Sequence, residues 1–96
     1  MRPSDVLEPK RAAVRDAVMR HRVENPRVFG SVLAGTDREG SDLDLLVDAL
    51  PGATLFDLGD LQVELEDILG VRVDVVTPQD LPPHFRARVL SIARPI

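Results

Sequence analysis

Apolar residues recur at helical spacing in the first quarter of the chain. From about Glu8 to Val23 they return every three or four positions, which is the period of an amphipathic helix. Pro9 is compatible with the first turn of this predicted helix. Asn25-Pro26 is predicted to end it, because the residue before a proline is driven out of helical geometry. The apolar stripe consists of Ala13, Val14, Ala17 and Val18.

A second helix is predicted in the middle of the chain. Thr54 and Asp57 have the spacing of a capping box, which satisfies backbone N–H groups at the start of a helix. The apolar positions that follow return at helical spacing as far as Leu69. Gly70 is predicted to end the helix, because glycine adopts the left-handed conformation common at helix ends.

The C-terminal segment is also predicted to be helical. It starts at Thr77-Pro78 and bends or restarts at Pro82-Pro83. Its apolar residues favour a helix that docks on the core across residues 85–96. The same side chains would suit a groove on a partner protein, and the pattern does not choose between these two interpretations.

Alternation of apolar and polar residues predicts two strands, because successive side chains of a strand point to opposite faces. These strands are Leu43–Asp48 and Val71–Val76. A shorter strand, Arg27–Phe29, runs directly into Gly30-Ser31. Val32–Gly35 is predicted to form a helical turn before a polar loop.

The predicted order of elements is α-β-β-α-β-α. This order fits an α+β fold, with a small mixed sheet backed by helices. Ninety-six residues suffice for one hydrophobic core, and no linker, repeat or low-complexity block divides them. We therefore expect a single domain over residues 1–96.

Composition argues against several classes of function. The net charge of −4 and the three aromatic residues, all Phe, argue against direct binding of nucleic acid. Without cysteine there is neither a disulfide nor a thiolate metal site. No apolar run reaches membrane-spanning length, and the N-terminal residues lack the apolar core of a signal peptide. We expect a cytoplasmic protein.

Three aspartates share the predicted polar face of the sheet. With the apolar residues turned toward the helices, Asp42, Asp44 and Asp74 fall on the opposite face. Their charges repel, and aspartate is disfavoured in strands, so stability alone does not explain them. Magnesium would resolve the conflict, because it prefers oxygen ligands and keeps positions for water and substrate phosphate. We interpret the three aspartates as metal ligands; an EF-hand calcium loop would need a further ligand and a glycine.

Gly30-Ser31 supplies the complementary half of such a site. A glycine between a strand and a helical turn lets backbone N–H groups approach a phosphate closely. The Ser31 hydroxyl can donate one further hydrogen bond. A metal on one side and a triphosphate on the other predict attack on the α-phosphate, with pyrophosphate as the leaving group.

The segment from Phe29 to Val47 resembles the signature of the DNA polymerase β-type nucleotidyltransferase superfamily. In that signature, Gly-Ser is followed after ten residues by Asp-x-Asp. The short chain is similar to the minimal nucleotidyltransferase (MNT) domains of this superfamily. The resemblance continues through Val71–Pro78, where Asp74 matches the third family carboxylate. It implies the nucleotidyltransferase fold.

This resemblance implies a role for each matched residue. The first two family aspartates, here Asp42 and Asp44, bind two magnesium ions. The third, here Asp74, completes the metal site and assists deprotonation of the acceptor hydroxyl. The Gly-Ser turn, here Gly30-Ser31, holds the terminal phosphates of the nucleotide, which is expected to be ATP.

One departure from the family pattern concerns the contact with the nucleotide. Many minimal members carry a basic residue shortly after the serine, where this chain has Val32, Leu33 and Ala34. Arg38, further along the loop, is the candidate replacement for that phosphate contact.

The resemblance also implies a partner. MNT domains are often antitoxins of HEPN-domain ribonuclease toxins, and several transfer AMP from ATP to a tyrosine of the toxin. We therefore expect a metal-dependent protein adenylyltransferase that acts as a type VII-like antitoxin in a complex with its toxin. Two alternatives remain open. One is an antitoxin that neutralises the toxin by binding alone, and the weaker one is an adenylyltransferase of small molecules.

Other acidic and histidine residues are assigned structural roles. Asp48 and Asp57 are expected to be loop and cap residues. His21 and His84 are expected to be isolated, solvated side chains. None of these four residues is assigned to the site.

Overall fold

A computed structural model describes all residues from 1 to 96 and shows four strands in one mixed sheet. The order across the sheet is β3-β2-β1-β4, with β2 and β3 parallel and the other two pairs antiparallel. The predicted α+β class with a small mixed sheet is confirmed. The strands are β1 (Val23–Phe29), β2 (Leu43–Ala49), β3 (Val73–Val76) and β4 (Arg94–Pro95).

Five α-helices flank these strands. Two short 3-10 turns, Glu8–Lys10 and Pro78–Asp80, precede α2 and follow β3. None of the helices combines the length and the apolar character that crossing a bilayer requires. The helices are α1 (Pro3–Leu7), α2 (Arg11–Met19), α3 (Gly30–Ala34), α4 (Leu55–Leu69) and α5 (Pro83–Ile92).

A hydrophobic core forms where α2 and α4 pack on one face of the sheet. Leu43, Leu45 and Val47 of β2 are fully buried in this core, as their alternation predicted. Apolar residues of both helices join the same cluster because each helix turns one stripe toward the sheet. These residues are Val14, Ala17 and Val18 of α2 and Leu61, Leu65 and Leu69 of α4.

The opposite face of the sheet is not polar along its whole length. Leu46, which alternation places on that face, is fully buried. The 3-10 turn Pro78–Asp80 packs against β2, and Leu81 beside it is buried as well. The remaining part of this face is called the acidic face below, and it carries Asp42, Asp44 and Asp74.

The predicted first helix has different bounds in the structure. It is divided into α1 and α2 by a 3-10 turn, and α2 ends at Met19, so that Val23 already begins β1. Asn25-Pro26, which was predicted to end the helix, lies inside that strand. The register with β2 shifts at this point and Asn25 has a φ of 55°. The strand therefore bulges around a proline that has no N–H to donate to the sheet.

α4 begins and ends where the sequence predicts. Thr54 N–H donates to Asp57 Oδ2 at 2.8 Å, which closes the capping box. Gly70 follows the last helical residue with a φ of 70°. The side chain of Glu66 on α4 then accepts the N–H of Val73 at 3.0 Å. The helix thus fixes where β3 starts, and with it the position of the third aspartate.

The prediction that residues 85–96 dock on the core is wrong for α5, because that helix has no buried residue. The chain instead returns to the sheet, where β4 pairs with the free edge of β1 and Ile96 packs against the core. Arg86 ties α5 to the preceding turn by donating to the carbonyl of Pro78 at 2.7 Å. α5 therefore serves as a connection held at both ends.

Candidate active site

Gly30 brings the turn after β1 into direct contact with Asp44. It has a φ of 73°, in the left-handed region that favours glycine. A Cβ at this position would overlap Asp44 Oδ2 and lie 3.0 Å from Asp44 Cγ. Only the absence of a side chain lets the carboxylate rest against this turn. The two halves of the predicted site are therefore adjacent in space.

Asp44 and Asp74 are register partners in the parallel pair formed by β2 and β3. Asp44 is half-buried, whereas Asp74 is exposed. Asp42 lies two residues before Asp44, and side chains two apart on an extended chain share a face. The backbone therefore places all three aspartates on the acidic face.

The pKa of Asp44 is raised above its usual value. Partial burial is the main cause, and the negative charges of Asp74 and Asp42 add to it. Each cause disfavours the ionised form, because the charge loses water and meets other negative charges. A cation bound near Asp44 would remove this penalty.

The three carboxylates do not form a ready metal cluster as their side chains stand. No group of three acidic or histidine side chains has a metal-binding arrangement. Asp42 is instead paired with Arg72, whose Nε lies 3.0 Å from Asp42 Oδ1. The oxygen donors suit magnesium in kind. Their arrangement is less complete, because strand pairing brings only Asp44 and Asp74 together.

The other two predicted nucleotide contacts occupy different surroundings. Ser31 is half-buried in the first turn of α3, and its carbonyl accepts the N–H of Thr36 at 3.0 Å. Arg38 lies in the exposed loop between α3 and β2. Its backbone N–H donates to Ser41 Oγ at 2.9 Å, which shapes that loop.

The acidic residues that were predicted to have structural roles, Asp48 and Asp57, have such roles in the structure. Asp48 accepts from Arg27 Nη2 at 2.6 Å, although it lies in β2 rather than in a loop. Asp57 caps α4. The prediction that His21 is merely solvated is wrong, because it is half-buried and its Nε2 lies 3.2 Å from Glu64 Oε2.

The chain matches the nucleotidyltransferase domain family over residues 12–96. It belongs to this family. The provisionally named protein adenylyltransferase MJ0435 of Methanocaldococcus jannaschii is 38% identical over 76 residues, which are 79% of this chain and 82% of the relative. The protein adenylyltransferase MntA of Thermococcus cleftensis is 40% identical over 63 residues, 66% of this chain and 64% of the relative. The protein is thus a nucleotidyltransferase.

Solved structures share the fold of this nucleotidyltransferase. One, provisionally described as a minimal nucleotidyltransferase, superposes with a TM-score of 0.86 at 46% identity and covers 97% of this chain and 95% of that chain. A toxin–antitoxin crystal structure with AMP-PNP superposes with a TM-score of 0.71 at 24% identity, covering 92% of this chain and 70% of that chain. The second similarity concerns the fold alone. The nucleotidyltransferase fold and the MNT resemblance are confirmed.

The predictions from the sequence missed two residues of this nucleotidyltransferase. Arg72 has the same spacing to Asp74 that Asp42 has to Asp44, and this spacing was the available signal for its place on the acidic face. Asp37 was treated as part of a polar loop, yet it is only 4% exposed. Its Oδ2 accepts the N–H of Ser4 at 2.9 Å, which ties α1 to that loop. No sequence pattern predicts this contact between Asp37 and Ser4.

Proposed function

We propose that this nucleotidyltransferase transfers AMP from ATP to a hydroxyl group of a partner protein. The observation that carries the proposal is the contact between the Gly30 turn and Asp44, with Asp74 beside it in register. A turn that can bind phosphate and a pair of carboxylates then face the same space. Such an arrangement suits a reaction at the α-phosphate of a nucleoside triphosphate.

In the proposed mechanism, the aspartates serve the metal site and the Gly30 turn serves the nucleotide. Asp42, Asp44 and Asp74 would hold magnesium in a two-ion site, where the metal supplies charge stabilisation for the phosphoryl oxygens. The backbone of Gly30-Ser31 binds the terminal phosphates and orients the nucleotide. We retain Arg38 as a further proposed contact with the phosphates.

The chemical step forms one bond and breaks another. The acceptor oxygen bonds to the α-phosphorus, and the bond between that phosphorus and the oxygen bridging to the β-phosphate breaks. Pyrophosphate leaves with that bridging oxygen. Asp74, which is exposed on the edge strand β3, would take the acceptor proton.

We propose a tyrosine of a cognate HEPN toxin as the acceptor, with the protein acting as its cytoplasmic antitoxin. Two relatives have names that describe them as protein adenylyltransferases. A neighbour in fold is a toxin–antitoxin complex crystallised with AMP-PNP. These descriptions support a protein acceptor and an adenine nucleotide, and the resemblance of the sequence to MNT domains supplies the HEPN partner. The proposal treats residues 1–96 as one catalytic domain.

The reaction can be tested with ATP carrying the label in different phosphates. We expect label from the α-phosphate, and none from the γ-phosphate, to appear on the cognate toxin when protein and magnesium are present. EDTA should abolish the labelling. A toxin that is neutralised without incorporating either label would reject the enzymatic function and favour neutralisation by binding.

The binding-only alternative has its own supporting observation. The residues after Ser31 are Val32, Leu33 and Ala34, which offer no positive charge to a triphosphate. An antitoxin that acts by binding alone would not need that charge. Small-molecule adenylylation is the weaker alternative, and labelling of a small hydroxyl compound in preference to the toxin would favour it.

A further inference from the structure

Arg72 shares the acidic face with the three aspartates. Its carbonyl accepts the N–H of Leu43 at 2.9 Å, which extends the contact between the two parallel strands by one residue. Arg72 and Asp74, two residues apart, therefore lie beside Asp42 and Asp44, which are also two residues apart. Of these four neighbouring side chains, three are acidic and Arg72 is the cation.

The guanidinium of Arg72 engages Asp42. Its Nε lies 3.0 Å from Asp42 Oδ1, and its Nη2 donates to the carbonyl of Gly40 at 3.2 Å. The side chain of Arg72 is 76% exposed and that of Asp42 is 49% exposed, and ion pairs this exposed are weak. A cavity of about 440 Å³, lined in part by Gly40 and Val71, lies beside Arg72. The guanidinium therefore has room to leave Asp42.

We propose that Arg72 is a positioning residue that occupies Asp42 in the metal-free protein and must release it before a divalent cation can bind. This inference rests on the proposed function, in which Asp42 is a metal ligand. In the metal-free protein the guanidinium reduces the repulsion among the three carboxylates. The same contact lowers metal affinity, because the ion pair has to open first. Arg72 thus favours the resting protein over the metal-bound one.

The test compares wild type with Arg72→Gln, using Mn²⁺ alone as the probe in isothermal titration calorimetry. The variant removes the charge but keeps a polar side chain. We expect it to bind Mn²⁺ about two- to fivefold more tightly, which is the range that an exposed ion pair provides. In metal-free buffer it should melt at a lower temperature than wild type, because the acidic face has lost its cation.

Two control variants define what the charge contributes. Arg72→Lys keeps the positive charge and should bind Mn²⁺ with an affinity close to that of wild type. Arg15→Gln removes the same charge from an exposed position on α2, which packs on the opposite face of the sheet. Its Mn²⁺ affinity should stay within about twofold of wild type, because the sheet lies between Arg15 and the metal site and salt screens charges that are far apart.

Two outcomes would overturn the inference. If Arg72 only ties the loop at Gly40 to the sheet, Arg72→Gln will melt earlier without binding Mn²⁺ more tightly. Absence of measurable Mn²⁺ binding by both wild type and Arg72→Gln would also overturn it. The proposed function is judged separately, by transfer of label from α-labelled ATP to the toxin by the wild-type protein.

Discussion

Gly30→Ala should reduce AMP transfer by about 100-fold or more, because a misplacement of about 1 Å at a catalytic group has an effect of that size. The new Cβ would occupy the space of Asp44 Oδ2. The carboxylate would then have to move away from the turn, and the phosphate-binding backbone would move with it. Initial rates of label transfer to the toxin measure this loss.

The same substitution should also destabilise the fold. Gly30 has a φ of 73°, and a residue with a side chain in that region is strained by about 1–3 kcal/mol. Urea unfolding in metal-free buffer measures this effect. The overlap with Asp44 adds to the strain, so a value toward the upper end of the range is expected.

Gly35→Ala is the matched control for these two effects. Gly35 has a φ of 75°, yet a Cβ there would meet nothing within 4 Å. The control therefore carries the backbone strain without the overlap, and it should lose stability while retaining most of its transfer rate. If Gly30→Ala and Gly35→Ala transferred AMP equally well, the contact between Gly30 and Asp44 would have no part in catalysis.

The parts of the fold that the sequence predicts well are those with a repeating pattern. In β2 the alternation of leucine and aspartate assigns each residue to a face, since the period of a strand leaves no other choice. The helix from Leu55 to Leu69 carries both a cap and an end signal. Because both of their strands were predictable, the common face of Asp44 and Asp74 was predictable as well, and strand pairing makes them neighbours.

The parts that were missed depend on contacts between distant segments. The two residues of β4 have no period to detect, and pairing with β1 alone makes them a strand. Asn25-Pro26 has the signature of a helix end, but β2 holds it in the sheet as a bulge. The spacing of Arg72 to Asp74 indicates its face, but only strand pairing places it beside Asp42. Long-range pairing decides the position in all three cases, and at Asn25-Pro26 it overrides a local preference.

Asp44→Asn should lower AMP transfer by about 100- to 1000-fold, because a metal ion at a reacting phosphate is worth several kcal/mol of transition-state stabilisation. The asparagine side chain has nearly the same shape, so the toxin complex should persist in size-exclusion chromatography. Loss of transfer together with loss of protection, while the complex persists, indicates catalysis. Unchanged protection of cells from the toxin would instead indicate neutralisation by binding.

The same substitution should make the metal-free protein more stable at neutral pH. Asp44 is half-buried and has Asp74 opposite it and Asp42 two residues before it in the chain. Like charges facing each other across strands are destabilising, and a cross-strand pair is worth up to about 1 kcal/mol. Asp44→Asn should therefore melt roughly 2–8 °C higher than wild type. Asp60→Asn, which removes an equal charge from the exposed surface of α4, should show no comparable gain.

The pH dependence of this gain identifies its cause. Because the pKa of Asp44 is raised in the folded protein above the ordinary value of 3.8, folding favours the protonated carboxyl group. At pH values above the folded-state pKa, wild type bears the full destabilisation and the variant has its full advantage. As the pH falls through that pKa toward 3.8, wild type takes up a proton and the advantage shrinks. Urea unfolding at pH 7 and near pH 3.5 measures this change, and an advantage that stayed constant would mean that the charge of Asp44 is not its source.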